Sequence, residues 1–148
     1  MWWLLPHSQW RAQKGNSNRA AMRTIVKAGR PPGLLAYVDG KPAGWCAVAP
    51  RDKYVRLANS RILKPVDDKP VWAVTCFFVA SAYRKRGLTL ELLKEAVKFA
   101  GSNGAKIVEG YPTEPSKLQA DAFLFTGLAS VFRKACFKEV ARRSPTPC

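Results

Sequence analysis

The chain has 148 residues and a mass of 16.4 kDa, enough for one domain with a buried core that needs neither disulfide nor metal staples. Its 47% hydrophobic and 24% charged residues set aside intrinsic disorder, and no apolar run nears the ~20 residues that a membrane-spanning helix needs. The 25 Lys and Arg against 10 Asp and Glu give a formal charge of +15, which implies an anionic partner, either nucleic acid or a phosphate-rich cofactor, unless the basic surface is merely solvated. In chain order, Met1-Trp2-Trp3-Leu4-Leu5-Pro6 is apolar but lacks the basic flank and the length of a secretory signal. That segment is therefore expected to be retained and packed, within an N-terminal arm at 1–15 for which partner binding is the alternative, ahead of a core at 16–143 within a single domain spanning 1–148. A first helix is expected over residues 16–27, where Ala20, Ala21, Ile25 and Val26 recur at helical spacing behind the caps Asn16 and Ser17. Gly29 and Pro31-Pro32 end it.

Residues 34–38 and 44–48 read as two short strands, and Asp39-Gly40 between them is a tight-turn signal, so a β-hairpin is predicted. A connection with a short helix at 52–58 follows; its acidic pair Asp67-Asp68 either meets a cationic substrate or is a solvated turn. The run VWAVTCFFV at 71–79 is apolar on both alternating faces and dense in β-branched and aromatic residues, the pattern of a strand covered on both sides. Residues 88–100 place Leu88, Leu92, Ala96 and Phe99 on one stripe of an amphipathic helix. A strand at 106–111 follows, so strand, helix and strand make a crossover unit with parallel strands. A last helix is expected at 122–134 and a closing strand at 137–140. Cys46, Cys76, Cys136 and Cys148 have no close pair at metal-ligand spacing and read as free thiols of a reducing cytoplasm; no metal is implied.

The segment with chemical content joins the central strand to the amphipathic helix through Arg84-Lys85-Arg86-Gly87-Leu88-Thr89. A helix start exposes unpaired N–H groups and the positive end of its dipole. Gly87 admits a close approach and the three cations add charge, so the junction suits a pyrophosphate, with a purely structural basic turn as the alternative. Neither the P-loop spacing nor Gly-x-Gly-x-x-Gly is present.

The string Val79-x-x-x-Tyr83-Arg84-x-x-Gly87-x-Thr89, followed by Leu90-x-Leu92-Leu93, resembles the acetyl-CoA motif of the GNAT superfamily of N-acetyltransferases. The order of elements is similar to that family's from about residue 16 to 143, and residues 131–140, VFRKACFKEV, look like its Tyr-Glu-Lys-x-Gly-Phe-x-x-Val segment. Thr89 stands where glycine or alanine is usual, Cys136 where glycine is usual, and Phe132 where many members carry a tyrosine credited with protonating the leaving thiolate.

The resemblance implies an α/β (α+β) fold with a mixed, mostly antiparallel twisted sheet, a splayed central strand pair and flanking helices. It implies acetyl-CoA as co-substrate, held by Phe77, Phe78, Val79, Arg84, Lys85, Arg86, Gly87, Leu88, Thr89 and Phe132, with backbone N–H groups near Phe78 and Val79 on the pantetheine and thioester. The acetyl group would pass by direct attack to a small-molecule or peptide amine. Glu109, which interrupts an apolar strand beside the cleft, is the candidate base, with pairing to a lysine or arginine as the other account of that carboxylate. Cys76 is read as a small buried hydrophobe rather than a nucleophile, because His7 is the chain's one histidine. Trp45, Trp72, Tyr111, Phe123 and Phe125 either line an acceptor pocket or pack the core. A homodimer and a non-catalytic acetyl-CoA-binding relative stay open. A nucleic-acid-binding module is disfavoured because no reading element accompanies its cations.

Overall fold

The computed structural model describes residues 2–29, 31–114 and 124–142. Two helices, α1 (His7–Ala12) and α2 (Asn16–Lys27), precede the strands β1 (Gly33–Val38) and β2 (Lys41–Pro50). A single 3-10 turn at Arg51–Lys53 and the short α3 (Val55–Ala58) lead to β3 (Trp72–Val79), then α4 (Leu88–Ser102), β4 (Val108–Gly110) and α5 (Ala129–Lys134). The sheet order is β1-β2-β3-β4, with the first two pairings antiparallel and the last parallel. The expected mixed, mostly antiparallel sheet with flanking helices is thus present.

Local chemistry explains the frame. The β1–β2 hairpin turns on Asp39 and Gly40 at φ 49° and 72°, the left-handed pair that a two-residue turn matched to strand twist demands. On α4, Leu92, Leu93, Ala96 and Ala100 are buried, and Phe99 meets Trp72 edge to face at 5.9 Å. Each large apolar side chain buried in this way contributes about 1.5–3 kcal/mol. Gly44 lets α4 come close to β2, since a Cβ there would lie 3.1 Å from Leu92 and 3.2 Å from Leu88.

Alternation along β3 divides the core between the two faces of the sheet. Val74 and Phe77 join Cys46, Val48, the α4 stripe and Phe132 on one face. On the other, Ala73 and Cys76 join Trp3, Tyr54, Leu57, Tyr111 and Phe125. Trp3 is buried there, so the first residues described pack on the sheet. Thr75 is the extra residue of a bulge, because the β2 register passes from Ala47↔Cys76 to Val48↔Val74.

Two expectations for the C-terminal part change. The last helix begins at Ala129 rather than 122; residues 122 and 123 lie outside the described residues. Residues 124–128 instead form a turn in which Gly127 adopts φ 92° and the Thr126 and Thr113 hydroxyls bond at 3.1 Å. Residues 137–140 form no strand: Phe137 packs on Phe132 at 5.0 Å, and Glu139 pairs with Arg142 at 2.7 Å.

Candidate active site

The ladder between β2 and β3 closes with Ala80 N–H donating to Ala43 O at 2.9 Å, and a single 3-10 turn at Ser81–Tyr83 carries the chain off the sheet. Arg84 Nε donates back to Val79 O at 3.0 Å, which anchors this exit to the strand end. Lys85 and Gly87 then take φ 60° and 78°, and α4 starts at Leu88. The Gly87 carbonyl accepts from the Leu90 and Glu91 amides, whereas those of Gly87, Leu88 and Thr89 meet no backbone acceptor among the described residues. A Cβ at Gly87 would meet nothing within 4 Å, and Arg84, Lys85 and Arg86 are exposed around that open space. Unpaired amides, a helix N-terminus of 15 residues and three cations fit a diphosphate.

Beside this turn strands β3 and β4 part. β4 pairs with β3 only at Trp72↔Val108, Ala73↔Glu109 and Val74↔Gly110. Since Ala80 N–H points to β2, amide alternation sends the Phe78 and Cys76 N–H groups to β2 as well, and those of Phe77 and Val79 to the parting edge. Phe77 N–H is already taken by Phe125 O at 2.6 Å, which leaves Val79 as the upper donor on that edge. Phe78 therefore has its amide in the ladder, and the residue is 59% exposed.

Phe132 is a further aromatic expected at the cofactor. It is buried in the wedge between the parting strands, edge to face with Phe77 at 6.2 Å. Its ring fills the recess left by two glycines: a Cβ on Gly110 would lie 2.2 Å from it and one on Gly127 2.9 Å. Packing in that glycine recess is the physical reason the ring faces the core.

On the opposite face of the sheet, Glu109 Oε1 accepts from Arg51 Nη1 and from the Tyr111 hydroxyl, while Arg51 also reaches Tyr111 and Leu63 O. Arg51 and Glu109 side chains are 13% and 21% exposed, so the pair is largely shielded. Burial first, then the bond to Glu109, pushes the Tyr111 phenol well above its usual range, so Tyr111 stays a donor. Burial likewise raises the Cys76 thiol, which keeps it protonated near neutrality. Asp67 accepts from Lys69 N–H at 3.1 Å in an exposed turn.

The profile of the Acetyltransferase (GNAT) family matches residues 2–124. The chain belongs to the GNAT acetyltransferase family. Acetyl-CoA is accordingly its acetyl source and N-acetyl transfer its class of reaction. Solved structures similar to it include aminoglycoside N-acetyltransferase AAC(6')-Iy in complex with CoA, at 19% identity and TM-score 0.58 over 90% of this chain and 76% of that one. The same enzyme with the bisubstrate analog CoA-S-monomethyl-acetylneamine aligns at 18% identity and TM-score 0.57, covering 90% and 82% of the two chains. Aminoglycoside 6'-N-acetyltransferase AAC(6')-IG from Acinetobacter haemolyticus, in its apo form, aligns at 16% identity and TM-score 0.52, covering 95% and 85%. At these identities the likeness is one of fold. A comparison with curated protein sequences finds no match.

Within this GNAT fold the structure brings Val79, Arg84, Lys85, Arg86, Gly87, Leu88 and Thr89 together at one corner and sets Glu109 on the far face of the sheet. Cys136, at the position where the GNAT pattern has glycine, does adopt φ 63°, the conformation that favours glycine. Sequence reasoning missed Arg51 as the partner of Glu109; it expected the segment of Trp2 and Trp3 to be packed, as both are in the core cluster of this face, but did not bring Trp10 onto Trp2. For the tryptophans, the apolar WWLL run was a usable signal. Arg51 had none, because 58 residues separate it from Glu109.

Proposed function

We propose that the chain transfers the acetyl group of acetyl-CoA directly to the amine of an acceptor, with the diphosphate held at Arg84 to Thr89. The observation that carries this is the corner at Gly87, where the free amides of Gly87, Leu88 and Thr89 border open space beneath three exposed cations. The thioester supplies an activated acetyl group. The Val79 amide, on the parting edge, is suited to orient the pantetheine arm, and the turn's cations to fix its phosphate end. The acceptor nitrogen forms its bond to the carbonyl carbon as the carbon–sulfur bond breaks, and the proton it sheds must reach a base.

Glu109 is the candidate for that base. Its Oε1 is committed to Arg51 and Tyr111, but Oε2 has no partner among the described residues, so one carboxylate oxygen is oriented and available. The crystallised neighbours named for aminoglycosides agree with an amine acceptor in kind. The test is the melting temperature with and without acetyl-CoA. The parent should be stabilised in proportion to ligand saturation, and Gly87→Glu should respond little, because its carboxylate would repel the diphosphate at a left-handed position. A folded Gly87→Glu protein stabilised as strongly as the parent would remove the cofactor from this corner.

A further inference from the structure

The face of the sheet that carries Glu109 also carries a cavity of about 410 Å³ between α1, α2 and strands β2 and β3. Its walls are aromatic and aliphatic: Trp2, Trp3, Trp10 and Trp45 face Met22, with Cys76 and Phe125 on the side of the parting strands. That size and lining match small-molecule sites, which take mostly apolar ligands and fix them with few polar groups. One side chain on the wall supplies such a group, since Trp3 Nε1 is buried with no hydrogen-bond partner among the described residues. Phe125 joins the cavity to the reaction edge, because its carbonyl binds the Phe77 amide there.

The charge of the ligand can be read as well. Among the described residues no acidic side chain lines the cavity, and the chain as a whole carries +15, so a polycation finds no partner among them and has a field to overcome. The rings best suited to hold a ligand cation already hold the chain's own: Arg56 lies 3.7 Å over Trp2 and Lys14 4.9 Å over Trp10. Surroundings of this kind disfavour an ammonium and favour the free amine, the form that attacks a thioester.

We infer that the acceptor is a monoamine on an aromatic or bulky apolar body, seated in this cavity with its nitrogen toward Cys76 and Phe125. The inference rests on the acetyl-transfer reading above. The step balances as an amine plus acetyl-CoA giving an N-acetyl amide plus the coenzyme A thiol, with the amine proton relayed through water to Glu109, which lies on the same face but off the cavity wall, and on to the thiolate or to solvent. Nothing else is consumed.

The experiment has a binding arm and a turnover arm, with 2-phenylethylamine and the polycation neamine as probes. In the binding arm, 2-phenylethylamine should change the tryptophan emission saturably without acetyl-CoA present, against a background from Trp72, which packs on Phe99 across the sheet. In the turnover arm, thiol release should show a kcat/KM at least about tenfold higher for 2-phenylethylamine than for neamine. Ala47→Phe, which fills the cavity from β2, should raise the amine KM by about tenfold or more and keep the acetyl-CoA thermal shift. Met22→Phe fills it from α2 and serves if the first variant does not fold. Preference for neamine, an unsaturable emission change, or an unaltered KM in the filled variants would overturn the inference. Loss of the acetyl-CoA shift in the parent would instead condemn the cofactor assignment, and the emission titration would still judge the cavity.

Discussion

Glu109 shows how much one side chain's surroundings decide. Arg51 and Tyr111 both donate to its Oε1, and glutamine keeps a carbonyl oxygen in the same place, so Glu109→Gln should preserve the local scaffold while removing the basic site. With Glu109 as base, kcat should fall by about a hundredfold or more, within the usual range for a lost general base, with acetyl-CoA stabilisation retained. Steady-state turnover set beside the thermal shift checks this, and an unchanged kcat would rule the residue out. Cys76 offers no substitute, since burial holds its thiol protonated. Phe132, where relatives in the GNAT pattern carry tyrosine, has no proton to give and lies against Gly110 and Gly127 rather than at the edge. The leaving thiolate must draw its proton from another group or from water.

At the scale of elements, the parting of β3 from β4 depends on what fills the gap. Phe132 occupies the space of a missing side chain at Gly110, so Gly110→Ala would force a contact of 2.2 Å against a ring with little room to yield. The cost should be about 1–3 kcal/mol, the usual price of overpacking. In chemical denaturation Gly110→Ala should lower the midpoint, and Phe132→Leu in the same chain should recover part of the loss; a neutral Gly110→Ala would mean that the wedge is loosely packed. This region also marks where sequence reading ran out. The turn at Asp39-Gly40, the span of α2 and the ends of β3 within one residue were legible, because residue types with local conformational or periodic demands define them. The last helix and the closing strand were not, because the bond between Thr113 and Thr126 and the edge-to-face packing of Phe137 on Phe132 decide that segment, and both are tertiary. Of the candidate site, the basic turn from Arg84 to Thr89 was legible as a contiguous motif. The environment of Glu109 depended on Arg51, and the aromatic cavity on tryptophans gathered from α1, β2 and the residues before α1.

At the scale of the whole molecule, the charge of +15 acts differently on the two substrates. Acetyl-CoA is polyanionic, and at the proposed corner it would meet the exposed cations Arg84, Lys85 and Arg86, where solvent ions compete directly. Screening over a Debye length of about 10 Å at 0.1 M salt, shrinking to about 3 Å at 1 M, should therefore weaken its binding. A monoamine in an apolar cavity gains its affinity from burial, which salt leaves unchanged or strengthens. Raising the salt from about 0.05 M to about 0.5 M should thus raise the KM for acetyl-CoA several-fold, with the KM for 2-phenylethylamine flat or falling. The paired measurement separates the two sites without a substitution. A KM for acetyl-CoA that ignores salt would mean that the basic turn makes no contact with the diphosphate, and a KM for the amine that rises in parallel would place that ligand in the charged field rather than among the tryptophans.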